Sequence, residues 1–133
     1  MASHLTLRNI EALSSPGGHY SHVVTANNVS FVSGLLPLDK QGKPLADKPV
    51  EIQIIQVLEN LNACLLGINA KKTDIVQVKV YVTDINEWPI VNKLYATWIG
   101  EHRPARVVAG VKELHFGSKI EIEAVVIKEQ SYE

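Results

Sequence analysis

The chain has 133 residues, 46% of them hydrophobic, with 13 Lys and Arg against 14 Asp and Glu and a net charge of −1. That length implies one domain with a core of its own, and near-neutral charge with no basic run longer than Lys71-Lys72 argues against a dedicated nucleic-acid binder. The single cysteine, Cys64, excludes a disulfide framework and a multi-cysteine zinc site; no apolar run reaches membrane-spanning length and the N-terminal segment lacks the apolar core of a secretory signal, so a cytoplasmic protein is expected.

Leu5 and Leu7, set among polar neighbours, predict a short edge strand. Ser14-Ser15-Pro16-Gly17-Gly18 is loop chemistry, because proline fixes φ and glycine permits positive φ. Residues 22–26 and 29–33 are two short runs rich in Val and Phe around Asn27-Asn28, which reads as a tight hairpin. Residues 34–49 carry Pro37, Gly42, Pro44 and Pro49 and are expected to be a loop.

From Val50 the period changes. Ile54, Val57, Leu58, Leu61, Leu65 and Ile68 recur at helical spacing, and Gly67 or Asn69 ends the helix. Residues 75–83 alternate, with Val76, Val78, Val80 and Val82 on one face and Gln77, Lys79, Tyr81 and Thr83 on the other. A second helix is predicted over 87–98, with Asn86 as N-cap, Pro89 in its first turn, and Val91, Leu94, Tyr95 and Trp98 inward. Residues 106–111 and 118–128 are the last two strands. The expected fold class is α+β: a mixed sheet with two helices on one face. On the last strand Ile120, Ile122, Ala124 and Val126 share one face, and Glu121, Glu123, Val125 and Ile127 the other. A sheet of mixed polarity on its uncovered side predicts packing against another copy.

Arg106 opens a strand, and alternation puts it with Val108 and Gly110 on one face. Its planar fork suits a carboxylate, to which it makes two parallel charge-assisted bonds. On spacing alone, an ion pair with Glu121 or Glu123 is the commoner outcome. Two acids on one face of an apolar strand must be exposed, paired or functional. They are read either as a solvated face or edge guard, or as a carboxylate that orients a water. Tyr20 and Ser33 place hydroxyls at the ends of the first hairpin, where such residues are most often turn or packing positions. The five histidines do not cluster, so no metal site is assigned. Cys64 falls within the apolar stripe of the first helix and is read as an inert thiol.

Gly18-His19-Tyr20-Ser21, Phe31-Val32-Ser33-Gly34, Gln56-Val57-Leu58-Glu59-Asn60-Leu61, Val91-Asn92-Lys93-Leu94-Tyr95, Pro104-Ala105-Arg106 and Ile120-Glu121-Ile122-Glu123-Ala124 occur together in one order. In this set the chain resembles the Rid (YjgF, reactive intermediate deaminase) family, also called endoribonuclease L-PSP, over nearly its whole length. The resemblance implies a chorismate-mutase-like fold, a homotrimer with a central β-barrel, and clefts between subunits. It implies cofactor-free hydrolysis of 2-imino and enamine acids, such as 2-aminoacrylate, to 2-keto acids and ammonia. By the same resemblance Arg106 clamps the substrate carboxylate and Glu121 holds the attacking water. Tyr20, Ser33, Gly34 and Asn92 line or adjoin the cleft. The pattern departs at His19, at Leu35, at Val108, which makes the pocket drier, and at Leu114-His115-Phe116-Gly117. These departures bear on substrate range and leave a non-catalytic module that binds small carboxylates as the alternative. A ribonuclease ranks third, given the charge and the lack of a histidine pair.

Overall fold

In a computed structural model describing residues 4–128, three antiparallel strands come first: β1 (Leu5–Arg8), β2 (Val23–Ala26) and β3 (Val29–Leu35). Helix α1 (Val50–Gly67), strand β4 (Ile75–Val82), helix α2 (Trp88–Ile99), β5 (Ala105–Gly110) and β6 (Ile120–Ile127) follow. The sheet order is β1-β2-β3-β6-β4-β5. The last strand therefore enters the middle of the sheet, antiparallel to both β3 and β4, while β5 runs parallel to β4 on the outer edge.

Local chemistry sets the element ends. Asn27, at φ 55°, makes the β2–β3 turn, since asparagine tolerates the left-handed region. Pro49 precedes α1 and its carbonyl accepts from Ile52 and Gln53, so the missing N–H costs nothing there. Asn69, at φ 62°, turns the chain away after α1, and Gly100, at φ 75°, ends α2. The predicted cap of α2 is not used. Asp84 instead caps a short 3-10 turn by accepting from the Asn86 N–H, and α2 starts from that turn with Pro89 in its first positions.

The core lies between the helices and one face of the sheet. Ile54, Val57, Leu61 and Leu65 of α1 meet Val78, Val80 and Val82 of β4 and Ile120, Ile122 and Val126 of β6, all essentially fully buried. Each such side chain contributes about 1.5–3 kcal/mol by leaving water. Cys64 lies in this core, and burial pushes its thiol up to about 12. Two sequence expectations are corrected. The register shifts between Ile75 and Gln77, so Ile75 is buried and Val76 is turned outward. Gly34 and Leu35 belong to β3 and not to the following loop.

The other face of the sheet is open. Leu7, Val24, Phe31 and Val125 form one row across β1, β2, β3 and β6, and Leu7 and Phe31 are 64% and 50% exposed. Val107 on β5, also exposed, extends this apolar surface. Glu121, Glu123, Lys79 and Tyr81 lie among these residues on β6 and β4.

Candidate active site

Arg106 lies level with Val78 of β4, whose side chain enters the core beneath the helices. The arginine therefore points to the helix side of the sheet at its exposed edge. There α2 receives it: Nη1 donates to Asn92 Oδ1 at 3.0 Å, and the guanidinium sits 4.9 Å from the Trp88 ring and 5.3 Å from the Tyr95 ring. Residues 88, 92 and 95 share one helix face by their spacing. The result is a cation held by one neutral acceptor and two aromatic faces, with the rest of its fork free for an anion. Burial pushes the Tyr95 phenol up while the Arg106 charge pulls it down, and its hydroxyl finds no hydrogen-bond partner among the described residues. Val108, two residues on, is half-buried against the core on the same side.

Glu121 lies elsewhere. It pairs with Tyr81 on the open face, whereas Ile122 beside it is buried under the helices. Because β4 lies between β5 and β6, Arg106 and Glu121 are separated by two strand spacings, roughly 10 Å, and point to opposite faces. The expectation of an arginine and a carboxylate side by side on consecutive strands is therefore corrected for the single chain, as is the expected ion pair with Glu121 or Glu123. The edge-guard reading of the two acids fails as well, since β6 is an interior strand.

The two acids have different surroundings. Glu123 accepts a short hydrogen bond from the Tyr81 hydroxyl, which together with burial and the negative field of both acids pushes that phenol up. Glu121 instead faces a cleft of about 570 Å³ that also takes in Tyr20, Ser33, Gly34, Leu36, His115 and Phe116. Burial holds its carboxyl above the ordinary value, opposed by the positive field of His115 and reinforced by Glu123.

Gly34 explains how Glu121 fits. The register of β3 on β6 shifts between Val32 and Leu35, which leaves Ser33 and Gly34 in a bulge beside the carboxylate. A Cβ at position 34 would stand 2.5 Å from Glu121 Oε2, so only glycine allows this approach. Ser33 Oγ donates to the Ser21 carbonyl at 2.6 Å, which ties the bulge to the Tyr20 loop. The structure thus brings Tyr20, Ser33, Gly34 and Glu121 into one cleft, and Arg106, Asn92 and Val108 together at a separate edge.

Five further residues had no place among the expected site residues. Trp88 and Tyr95 flank Arg106, and their helical spacing to Asn92 was the available signal. Asn60 is buried in α1, and its Nδ2 donates to the carbonyls of Leu36 and Leu38, fixing one wall of the cleft. Its signal was a polar residue inside an apolar stripe. His115 and Phe116 enter the cleft from the connector before β6, and their signal was the departure of Leu114-His115-Phe116-Gly117 from the family pattern. Among the described residues no group of three His, Cys, Asp or Glu is placed to hold a metal ion, and no helix is long and apolar enough to cross a membrane.

Comparison with known proteins adds a family. Residues 10–128 match the model of endoribonuclease L-PSP. A RutC family protein of Pyrococcus horikoshii is 37% identical over 114 residues, covering 86% of this chain and 90% of the relative. The human 2-iminobutanoate/2-iminopropanoate deaminase is 33% identical over 128 residues, covering 95% and 93%. The crystal structure of E. coli TdcF with bound serine superposes with a TM-score of 0.87 at 26% identity, covering 93% of this chain and 99% of that one.

Proposed function

This chain belongs to the endoribonuclease L-PSP family, the Rid or YjgF family, and from that membership and the geometry of its two half-sites we propose that it is a cofactor-independent deaminase of 2-imino acids. The observation that carries the reading is the split itself. A half-buried carboxylate stands in a cleft, and a pre-oriented arginine stands on the other side of the sheet. One chain thus holds both parts of an imine-hydrolysing site without joining them. Joined between neighbouring copies, they make a complete one.

The copies are three. The open sheet face, with Leu7, Phe31 and Val107 exposed, is the surface they bury against one another. Each cleft then takes Glu121, Gly34, Ser33 and Tyr20 from one subunit and Arg106, backed by Asn92, from the next. Val108 lies beside that arginine and adds an apolar contact.

The reaction asks little of the protein. A protonated imine carbon is already electrophilic. Arg106 grips the carboxylate of the substrate through two parallel bonds and so fixes the carbon in place. Glu121 accepts a proton from water as the water oxygen bonds to that carbon. Glu121 then returns its proton to the amino nitrogen of the tetrahedral amino alcohol, the C–N bond breaks with its electron pair leaving on ammonia, and the hydroxyl proton passes to water as the carbonyl of the 2-keto acid forms. A carboxyl raised above its ordinary value by burial is a stronger base for the first of these transfers. The human relative is named for this chemistry, and TdcF holds serine, a small molecule with the same carboxylate.

The test generates imines in situ from L-amino acids with an amino-acid oxidase and traps the survivors with semicarbazide. Suppression of trapping by the wild type, and not by Arg106→Ala, is the expected result. A folded protein that suppresses no imine while still binding 2-keto acids would move the reading to a non-catalytic carboxylate-binding module.

A further inference from the structure

His22 takes no part in the chemistry above, yet it is only 5% exposed and its ring is engaged by backbone. Nδ1 lies 2.8 Å from the Ile10 nitrogen, and an amide N–H can only donate, so Nδ1 accepts and carries no proton. The proton of the neutral ring is then on Nε2. The Ser14 backbone bonds the ring in the sense that raises its pKa, as a carbonyl accepting from that N–H does. One neutral imidazole thus ties both ends of the Ile10–Ser14 turn, which the Leu13 N–H closes on the Ile10 carbonyl at 3.0 Å.

The main chain of His22 reaches the other side of the cleft. Its carbonyl accepts from the Ser33 N–H at 3.0 Å, in the bulge where Gly34 admits Glu121. Beyond the turn, Ser14, Ser15, Gly17, Gly18 and Tyr20 form one wall of the Glu121 cleft. Among the described residues, this segment makes no other hydrogen bond to a distant part of the chain; the Tyr20 N–H bonds the nearby Gly18 carbonyl. Its two ends are held by the His22 ring and by Ser21, whose carbonyl accepts from Ser33 Oγ. These bonds all lie within one chain, and the ring is already shielded from water there, so they do not depend on what a neighbouring copy covers.

We propose that His22 is a positioning residue for the Glu121 cleft: neutral, its ring fixes the Ser14–Tyr20 wall against the Ser33–Gly34 bulge; protonated, it releases that wall. The ligand of the cleft rests on the deaminase reading; the tie between ring and wall does not. Protonation turns Nδ1 into a second donor facing the Ile10 N–H, and two opposed donors in a buried site lose their bond and repel. Burial disfavours the charged ring, so release comes at pH values below the ordinary histidine range. The charged groups around the ring are Arg8 on β1, which pairs with Val23, Glu11 on the held turn, and Asp39, which lines the same recess from the loop before α1. None of the three hydrogen-bonds the ring, and Asp39 Oδ1 accepts from the Gln41 and Lys43 N–H groups instead. β3 and α1 face that recess with the uncharged Ser33, Gly34, Leu35 and Asn60. On β6, the field acting on Glu121 comes from His115 and Glu123.

The test compares the whole protein as wild type, His22→Gln and His22→Leu. Glutamine offers an acceptor and a donor and does not titrate; leucine offers neither. Nitrogen NMR from about pH 8 to about pH 5 follows the histidine rings and the amides of Ile10, Gly17, Tyr20 and Gly34. Calorimetric titration with pyruvate covers the same range. In the wild type the His22 ring should carry its proton on Nε2 at the start, and the wall amides should shift as it titrates. Pyruvate affinity should fall by up to about 10-fold per pH unit below that point, as the competent fraction does. His22→Gln should keep the wall signals in place and lack that loss. His22→Leu, checked for folding by circular dichroism, should bind about 10-fold more weakly than His22→Gln at neutral pH, the worth of about one hydrogen bond. If His22→Leu does not fold, the comparison of wild type with His22→Gln decides alone. Signals and affinity that fall alike in wild type and His22→Gln would overturn the proposal, since the wall would then answer to another group or to a neighbouring copy. Titration of His22 with the wall amides unmoved would overturn it as well. Pyruvate that binds at no pH would defeat the deaminase reading, and the NMR titration would still decide whether His22 holds the wall.

Discussion

The edge that carries Arg106 and the cleft that carries Glu121 hold their charges in opposite ways. Arg106 is exposed, and its order comes from a neutral amide and two aromatic rings on α2. No carboxylate among the described residues quenches it. Glu121 is half-buried, and its order comes from close packing on a glycine in a β-bulge. Its charge is opposed by burial and supported by His115. The cation is thus left with unspent hydrogen bonds, and the anion with a raised proton affinity. Within one chain the two cannot neutralise each other, because a strand and the plane of the sheet lie between them. Had they been neighbours, they would form an ordinary ion pair. Separation preserves both for a ligand.

The sharpest way to break this comparison is to disable each half in turn. Glu121→Gln and Arg106→Ala should each lower imine turnover by about 10²–10⁴-fold, the range for losing a positioned base or an orienting clamp. When the two inactive variants are co-refolded in equal amounts, activity should return at about one quarter of the sites if the cleft is shared in a ring of copies. Mixtures that stay inactive would place both residues in one subunit's site and contradict the division drawn here.

A smaller effect is expected at Gly34. The Cβ of Gly34→Ala would collide with Glu121 Oε2, so the carboxylate must shift by about an ångström, costing on the order of 10²-fold in kcat with keto-acid binding largely retained. Circular dichroism should show the fold intact. If Gly34→Ala remained fully active, the close approach would have no bearing on catalysis.

On the other half, Asn92→Ala and Trp88→Leu loosen the guanidinium without removing it. Each should raise KM by about 2–10-fold, the value of one charge-assisted bond or one exposed cation–π contact. Arg106 retains its charge in both, so kcat should fall less than it does in Arg106→Ala. Equal losses in kcat would mean that α2 does more than position the arginine.

The smallest effect concerns stability. Because burial raises the Glu121 pKa in the folded state, ionised Glu121 opposes folding at neutral pH, and that penalty disappears as pH falls below the ordinary carboxylate value. Glu121→Gln should therefore raise Tm by about 1–4 °C at pH 7 and by nothing near pH 4. His22 has the opposite dependence. Burial lowers its pKa, and its Nδ1 accepts from the Ile10 N–H at 2.8 Å, so the fold requires it neutral. Stability from that site is present above the ordinary histidine value and is lost as pH falls below it. Thermal melts from pH 7 to pH 5 on wild type and Glu121→Gln separate the two contributions.

The sequence by itself determined the elements and the faces. Helical spacing from Ile54 to Leu65 and alternation from Ile120 to Ile127 place those side chains correctly, because each period follows from the local geometry of one helix or strand. The candidate residues were legible too, since their surrounding motifs are a family's. What the sequence left open was adjacency. Arg106 and Glu121 lie on successive strands in the chain; only the sheet order, with β4 between them, holds them apart, and only the register of each on β4 sets them on opposite faces. The Val76 turn-out, the Ser33–Gly34 bulge and the entry of Phe116 into the cleft are likewise tertiary outcomes. Each depends on which strand pairs with which and in what register. Hydrogen bonds and side-chain packing between distant segments decide that, and no local period encodes it.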